Sequence, residues 1–355
     1  MKVLFCVDDF KGGAGNVIQL LSKEFKRHNH DVSICLLGGE TPGRYSIEGI
    51  PLYRIKSRKN KILRYLNFVH CTRRIIEHER PDCVVSFLFG VSSWVNLALV
   101  GMNIPLIVSE RSDPNYLFPK GIMALLTDMS YKRANRIVVL FDDFKRFFSD
   151  EYFDKIITIP NPVPEISLPP TKSHSYDDEI RFVTIANDTP PKGLSLLVQA
   201  FANIESNNRK IVLRIYGKET NRLRNQIIDL GLEDKIFLMG YTLDVTDALS
   251  WADVYIMPSV HEGFPNSLCE AMSAGKCCIA TLCHKGINDI IVHGQNGLIA
   301  SNVSSESILE QVRFVLNNPE LIDEMATRAK ELSRKYPMDK VYKMWENLII
   351  DTIKE

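Results

Sequence analysis

Long apolar runs are missing from this chain. None approaches the ~20 residues that a helix needs to cross a bilayer, so no spanning segment is expected. Net charge is missing too: 43 Lys and Arg balance 43 Asp and Glu over 355 residues, which argues against a nucleic-acid partner. Metal-type cysteine pairs are absent. Cys6, Cys35, Cys71, Cys83, Cys269, Cys277, Cys278 and Cys283 never form a CxxC, and most sit in apolar runs where a free thiol behaves as a small hydrophobe. Neither a disulfide framework nor a zinc site is expected, and a reducing cytoplasm fits. The opening apolar stretch, residues 1–7, meets Asp8 and Asp9 and is too short for a signal peptide. Repeats and low-complexity tracts are absent as well.

What is present is alternation. The length suits two domains. Strand-like runs at 1–7, 32–37, 84–89, 106–109, 137–140 and 156–159, then 180–185, 211–216, 236–239 and 252–256, are mostly separated by helical patterns. Strands alternating with helices predict parallel α/β organisation. The Pro-rich stretch from Asn161 and the polar residues 169–175 read as an exposed connection. The expected division is 1–164, a linker 165–178, a second domain 179–338, and a terminal helix 339–355.

One stretch organises the rest. After the apolar run 252–256 comes a loop with Pro258, Gly263 and Pro265, then a helical pattern expected to start near Leu268. Asn266 and Ser267 are suitable N-cap residues. A strand, a turn and a helix start gather backbone N–H groups where an anion such as a diphosphate settles. Glu262 and Glu270 flank that point, and ionised carboxylates accept hydrogen bonds from sugar and ribose hydroxyls. The plainer alternative is a strand–loop–helix with incidental acids. Four other places hold candidate chemistry. A Gly-rich turn, Lys11 to Asn16, precedes Val17, Leu20, Leu21 and Phe25 at helical spacing; ligand approach and helix packing explain it equally. Glu110 sits in a polar cluster past the end of a predicted strand, where α/β ligand sites form. Lys192 precedes a helix expected at 194–201. Residues 54–74 carry Arg54, Lys56, Arg58, Lys59, Lys61, Arg64, Arg73 and Arg74 without one acid, interleaved with Ile62, Leu63, Tyr65, Leu66 and Phe68. Such a segment reads either as a membrane-surface contact or as a solvated helix with a buried stripe.

The string Glu262-Gly263-Phe264-Pro265-Asn266-Ser267-Leu268-Cys269-Glu270 resembles the E-x7-E signature of retaining, nucleotide-sugar-dependent glycosyltransferases of the family 4 type. The likeness continues through Ala271-Met272-Ser273-Ala274-Gly275 and Asn296-Gly297-Leu298-Ile299. It covers most of the second domain closely and the first loosely. It implies a GT-B fold: α/β, two Rossmann-like domains facing each other across a cleft, with the C-terminal helix crossing back to the first. It further implies a UDP-sugar donor, no cofactor and no metal. The acceptor would be a hydroxyl of a glycan or polyprenyl-diphosphate-linked glycan in surface polysaccharide or glycoconjugate assembly.

By that likeness Glu262 holds the donor sugar, Glu270 the ribose, and Gly263, Phe264, Pro265, Asn266 and Ser267 bring backbone against sugar and phosphate. Gly13 faces the donor phosphate, Tyr241 the nucleobase, and Lys192 the diphosphate. Glu262, Lys192 and Glu110 are the catalytic candidates. The chain departs from the pattern twice. Asn187 stands where a second cation is expected, and Glu110 where many relatives place a His. Attack from the leaving-group face is implied, with the leaving phosphate taking the acceptor's proton. These departures keep a non-catalytic sugar-nucleotide-binding or scaffold protein as an alternative, beside an epimerase-like enzyme. A phosphorylase-like one is disfavoured by length and missing pyridoxal-phosphate machinery. Lipid-linked acceptors among relatives favour a cytoplasmic protein docked on the inner membrane leaflet through residues 54–74.

Overall fold

The computed structural model describes residues 1–355 except 11, 39–42, 58, 115, 117–118, 170–173, 206–208 and 243, and only the backbone of Lys61. The expectations placed on Lys11, on Arg58 and on the middle of the linker lie outside the described residues. The chain divides into two compact units: Met1–Pro162 with Met338–Glu355, and Val163–Pro337.

The first unit runs β1 (Lys2–Val7), α1 (Gly12–Arg27), β2 (Asp31–Leu36), β3 (Leu52–Arg54), α2 (Lys61–Glu79), β4 (Cys83–Phe87), α3 (Phe89–Ala98), β5 (Leu106–Ser109), α4 (Ile122–Arg133), β6 (Arg136–Val139) and β7 (Ile156–Thr158). All pairings are parallel in the order β3-β2-β1-β4-β5-β6-β7. Both faces of this sheet are covered, so central strands such as β4 are buried from end to end and read as unbroken apolar runs. Crossovers from β1 to β2 run one way and those after β3 run the other. Right-handedness therefore puts α1 on one face and α2, α3 and α4 side by side on the opposite face. The direction reverses between β1 and β4, which opens a crevice at the carboxyl ends of those strands.

The second unit holds β8 (Glu179–Ile185), α5 (Leu194–Ala202), β9 (Lys210–Tyr216), α6 (Arg224–Asp229), β10 (Ile236–Gly240), α7 (Val245–Trp251), β11 (Val254–Met257), α8 (Asn266–Ser273), β12 (Cys277–Thr281) and β13 (Leu298–Ala300). It closes with α9 (Ser305–Asn317), α10 (Leu321–Ala329) and α11 (Glu331–Lys335). Its parallel order is β10-β9-β8-β11-β12-β13, and the reversal lies between β8 and β11. The last helix, α12 (Met338–Lys354), returns to the first unit as the resemblance implies. Its Tyr342 packs edge-on to Phe25 at 5.0 Å and its Trp345 stacks on Phe87 at 5.7 Å.

Several local expectations are corrected. The Gly-rich turn is not a loop: Gly12 and Gly13 form the first turn of α1. The close approach belongs to Gly15, where a Cβ would sit 2.5 Å from the Phe10 Cα. Helix α8 starts at Asn266, two residues early, and its N-cap is Pro265 with no side-chain cap. Proline fits there because it surrenders no N–H the helix needs. The run read as a strand at 252–256 pairs only from Val254, and the one read at 84–89 ends at Phe87. Strands β3, β12 and β13 are additional. Among the described residues no helix is long and apolar enough to cross a membrane.

Candidate active site

At the reversal point of the second unit, the loop after β8 meets the loop after β11. The Val260 and His261 N–H groups both donate to the Pro191 carbonyl, at 2.7 and 3.1 Å. Gly193, at φ +63, lies against the other strand's exit: a Cβ there would meet the Pro258 carbonyl oxygen at 2.0 Å. Only glycine allows that contact, and it positions Lys192 beside Glu262. The Lys192 Nζ stands 2.5 Å from the Glu262 Oε1. The same oxygen accepts the Ser259 hydroxyl at 2.7 Å. Glu262 is buried, whereas Lys192 is partly open, so the pair presents a cation outward on a fixed carboxylate.

Helix α8 begins four residues after Glu262. Its first-turn amides have no carbonyl one turn behind them, and the Tyr255 hydroxyl holds Ser267 Oγ at 2.8 Å. Glu270 is buried one turn further on. Phe264 and Pro265 are buried and anchor the turn, with Phe264 edge-on to Tyr336 at 6.5 Å. Gly263, Asn266 and Ser267 are half-buried. The structure thus brings Lys192, Glu262, the turn at 263–267 and Glu270 together.

Asn187 does something other than a cation would. Its Oδ1 accepts the Lys218 N–H at 2.9 Å, joining the exits of β8 and β9, while Asp188 N–H returns to the Lys218 carbonyl at 2.9 Å. The Lys218 Nζ lies 4.6 Å above the Tyr241 ring, within the range of a cation–π contact. Lys218 is a cation that sequence reasoning missed. The signal for it was a Lys directly after a strand-ending Gly, two strands upstream of the motif.

In the first unit, Gly13 lies half-buried in the first turn of α1. Glu110 follows β5 and turns toward the α3–α4 layer. It is buried, it accepts the Tyr131 hydroxyl at 3.1 Å, and the Phe89 N–H also points at it. Burial lifts its carboxyl to about 7, against the weaker pull of Tyr131, Phe89 and Arg111. Glu110 lines a pocket of about 190 Å³ with Tyr131, Phe147, Phe148 and Tyr152. Arg111 turns the opposite way, toward α12. It lies between Phe87 and Trp345 at 4.7 and 5.2 Å and donates to Ser109, Ile159 and Asn161.

A second opening of about 540 Å³ sits at the β1/β4 reversal, lined by Asp8, Asp9, Ser57, Arg64, Tyr65 and Trp94 among others. Tyr65 stacks on Trp94 at 4.3 Å. The neighbouring Leu88 holds φ +76, a conformation a branched residue adopts only where its surroundings impose it. Carboxylates beside an aromatic face suit a sugar; from sequence Tyr65 counted only as part of the basic segment, Asp8 and Asp9 only as the end of a strand, and Trp94 not at all. Among the described residues no group of three or more His, Cys, Asp and Glu is placed to hold a metal.

Two family models match the chain: "Glycosyltransferase Family 4" over residues 11–165 and "Glycosyl transferases group 1" over residues 169–332. An uncharacterized glycosyltransferase of Haemophilus influenzae is 23% identical over 95% of this chain and 96% of its own length. A Campylobacter jejuni α-1,4-N-acetyl-D-galactosaminyltransferase, whose name specifies an undecaprenol-linked glycan, is 24% identical over 99% of each chain. An Anabaena protein solved in complex with UDP superposes with a TM-score of 0.79 at 16% identity, over 99% of this chain and 100% of its own.

Proposed function

The chain belongs to the family 4 glycosyltransferases of the GT-B fold, hexosyltransferases of glycan and polysaccharide biosynthesis, and we propose that it takes its sugar from UDP and adds it, with retained configuration, to a lipid-linked glycan. The observation that carries this reading is the Lys192–Glu262 pair set beside the N-terminus of α8, with Glu270 buried one turn on. In the donor complex the α8 amides and Lys192 take the diphosphate. Charge on that group grows as the glycosidic bond breaks, so fixed donors there stabilise the transition state more than the ground state. We assign no metal to this step. Glu262, released from part of its bond to Lys192, accepts the donor sugar's hydroxyls, and Glu270 accepts those of the ribose. Tyr241, with Lys218 above its ring, carries the nucleobase. Gly13 keeps its proposed place against the donor phosphate.

On the acceptor side, the opening lined by Asp8, Asp9, Tyr65 and Trp94 takes a sugar ring, with Glu110 as the nearby carboxylate whose charge titrates near neutrality. The acceptor's proton leaves with the departing phosphate oxygen. The cations of residues 54–74 attract an anionic leaflet. Of these, Arg73 is already engaged, paired with Glu77 and bonded to the Ala98 and Val100 carbonyls.

The Campylobacter relative's name supports the lipid-linked glycan, and the Anabaena complex supports UDP. Lys218 supports this reading over a non-catalytic one: its backbone is held by Asn187, and its side chain brings a positive charge to the same group of loops. A thermal-shift screen of nucleotide-sugars tests the reading. A UDP-sugar at 100 times its dissociation constant stabilises by about 2.7 kcal/mol, and slow release of free sugar should accompany it. No shift with any UDP-sugar, or equal shifts with all nucleotides, would reject the donor assignment.

A further inference from the structure

Two openings of the first unit adjoin. The one at the β1/β4 reversal, about 540 Å³, and the one beside Glu110, about 190 Å³, share Phe89 and Ser112 in their walls. Size separates what each can hold. A dry cavity of about 150 Å³ takes one benzene, so the larger opening has room for a sugar ring and the smaller for a single substituent of it.

Most polar side chains of the smaller pocket are already engaged by its own walls. The Tyr152 hydroxyl bonds Asp128, which also pairs with Lys132 at 2.9 Å. Thr127 meets Ser93 at 3.2 Å. Glu110 differs. It is buried, and its N–H donates to the Val138 carbonyl at 2.8 Å, which ties it to the exit of β6. Its carboxyl takes the Tyr131 hydroxyl at 3.1 Å and faces the Phe89 N–H. Two such bonds leave a carboxyl with an oxygen lone pair to spare in either charge state. The rest of the wall is apolar: Tyr131 lies 5.2 Å from the Phe148 ring and 5.8 Å from that of Tyr152, with Phe147 and Ala124 beside them.

We propose that this pocket takes the acetamido group of an N-acetylated sugar whose ring occupies the neighbouring opening. The amide N–H donates to Glu110, and the methyl group lies against the aromatic wall. Neither simpler substituent matches both halves of the pocket. A hydroxyl would satisfy Glu110 and leave the aromatic rings without apolar contact. A hydrocarbon group would fill the wall and leave Glu110 without a new partner, a loss that buried polar groups avoid. The inference rests on the acceptor opening proposed above and not on the donor. It adds a class of acceptor, sugars carrying an N-acetyl group, and the residues that select it.

The test is saturation-transfer NMR on the full chain, titrated with the methyl glycosides of N-acetylglucosamine, N-acetylgalactosamine, glucose and galactose. The acetylated pair should bind at least about tenfold more tightly, as one hydrogen bond to a charged group allows. Their acetyl methyl protons should take the largest share of the saturation. Ala124→Phe places a ring in the pocket from α4 and touches no donor residue. It should abolish the methyl signal and level the four glycosides, while stabilisation by a UDP-sugar stays at the wild-type value. Should that variant fail to fold, Glu110 gives the same decision: Glu110→Gln keeps a carbonyl acceptor and should keep the preference, whereas Glu110→Met should lose it. Equal or weaker binding of the acetylated sugars would overturn the proposal. So would a methyl signal that survives the filled pocket, or a preference that survives Glu110→Met. Binding of none of the four would overturn it together with the acceptor opening and leave the donor reading to the nucleotide-sugar screen.

Discussion

Replacing Glu110 with Gln should change how stability depends on pH in a calculable way. In the folded protein burial holds this carboxyl near 7, above the ordinary glutamate value of 4.5. At roughly 1.4 kcal/mol per tenfold change in proton affinity, ionising it inside the fold costs about 3 kcal/mol. The sign follows from proton counting. Between 4.5 and 7 the native state holds a proton that the unfolded state has released, so stability falls as pH rises through that window and levels off above it. Below 4.5 both states are protonated and the group contributes nothing. Glu110→Gln removes the titration, so its stability relative to wild type should climb by about 3 kcal/mol from pH 4.5 to pH 8. Urea titrations at several pH values, followed by the fluorescence of Trp94 and Trp345 in the same unit, would measure it. Taking the difference between the two proteins cancels every other titrating group. Turnover supplies an independent check: wild-type activity should rise through pH 7 as the carboxylate forms, and the variant should lose that rise. A flat stability difference across the window would refute the argument that burial controls this carboxyl.

Three further outcomes follow from the donor side. Lys192→Ala should lower kcat by roughly 10- to 100-fold with little change in donor affinity, the equivalent of about 1.5–3 kcal/mol for a hydrogen bond to a charged group; steady-state kinetics with a UDP-sugar would show the split, and an unchanged rate would move the diphosphate elsewhere. Glu270→Ala should weaken donor binding by a similar energy through lost ribose contacts, read by calorimetry; unchanged affinity would refute the ribose assignment. Gly193→Ala should destabilise the second unit by more than about 1 kcal/mol, because the residue sits at positive φ against the Pro258 carbonyl, and a melting temperature equal to wild type would contradict it.

The cluster proposed as the donor site was legible because most of its residues lie along one continuous string. Glu262, the turn at 263–267 and Glu270 are placed by a strand end and a helix start, both written into local residue choice. Lys192 came from the resemblance, since a lone Lys before a helix carries little signal of its own. What stayed hidden depends on contacts between distant segments. Lys218 reaches Tyr241 only because β9 and β10 pair. Asp8 and Asp9 gain meaning when α2 and α3 bring Tyr65 and Trp94 beside them. The charge state of Glu110 is set chiefly by its burial beside Tyr131, Phe147, Phe148 and Tyr152, none of them near in sequence. The cap of α8 was misplaced because Asn266 and Ser267 suit that position by type, while Pro265 before them occupies it by backbone geometry. Strand β3 escaped because three residues at a sheet edge carry too little pattern.

The route of the chain through α12 bears on the order in which the protein is made. Residues 163–337 form one uninterrupted piece and can close their core as soon as they have left the ribosome. The other unit cannot. Phe25, Phe87 and Arg111 have all been synthesised within the first third of the chain, yet their partners Tyr342 and Trp345 arrive only at its end. Until then the α1 side of the first sheet waits with an open apolar slot, and a nascent chain halted before residue 338 would expose it to chaperones and proteases. The first half of this protein to be translated is thus the last to be finished.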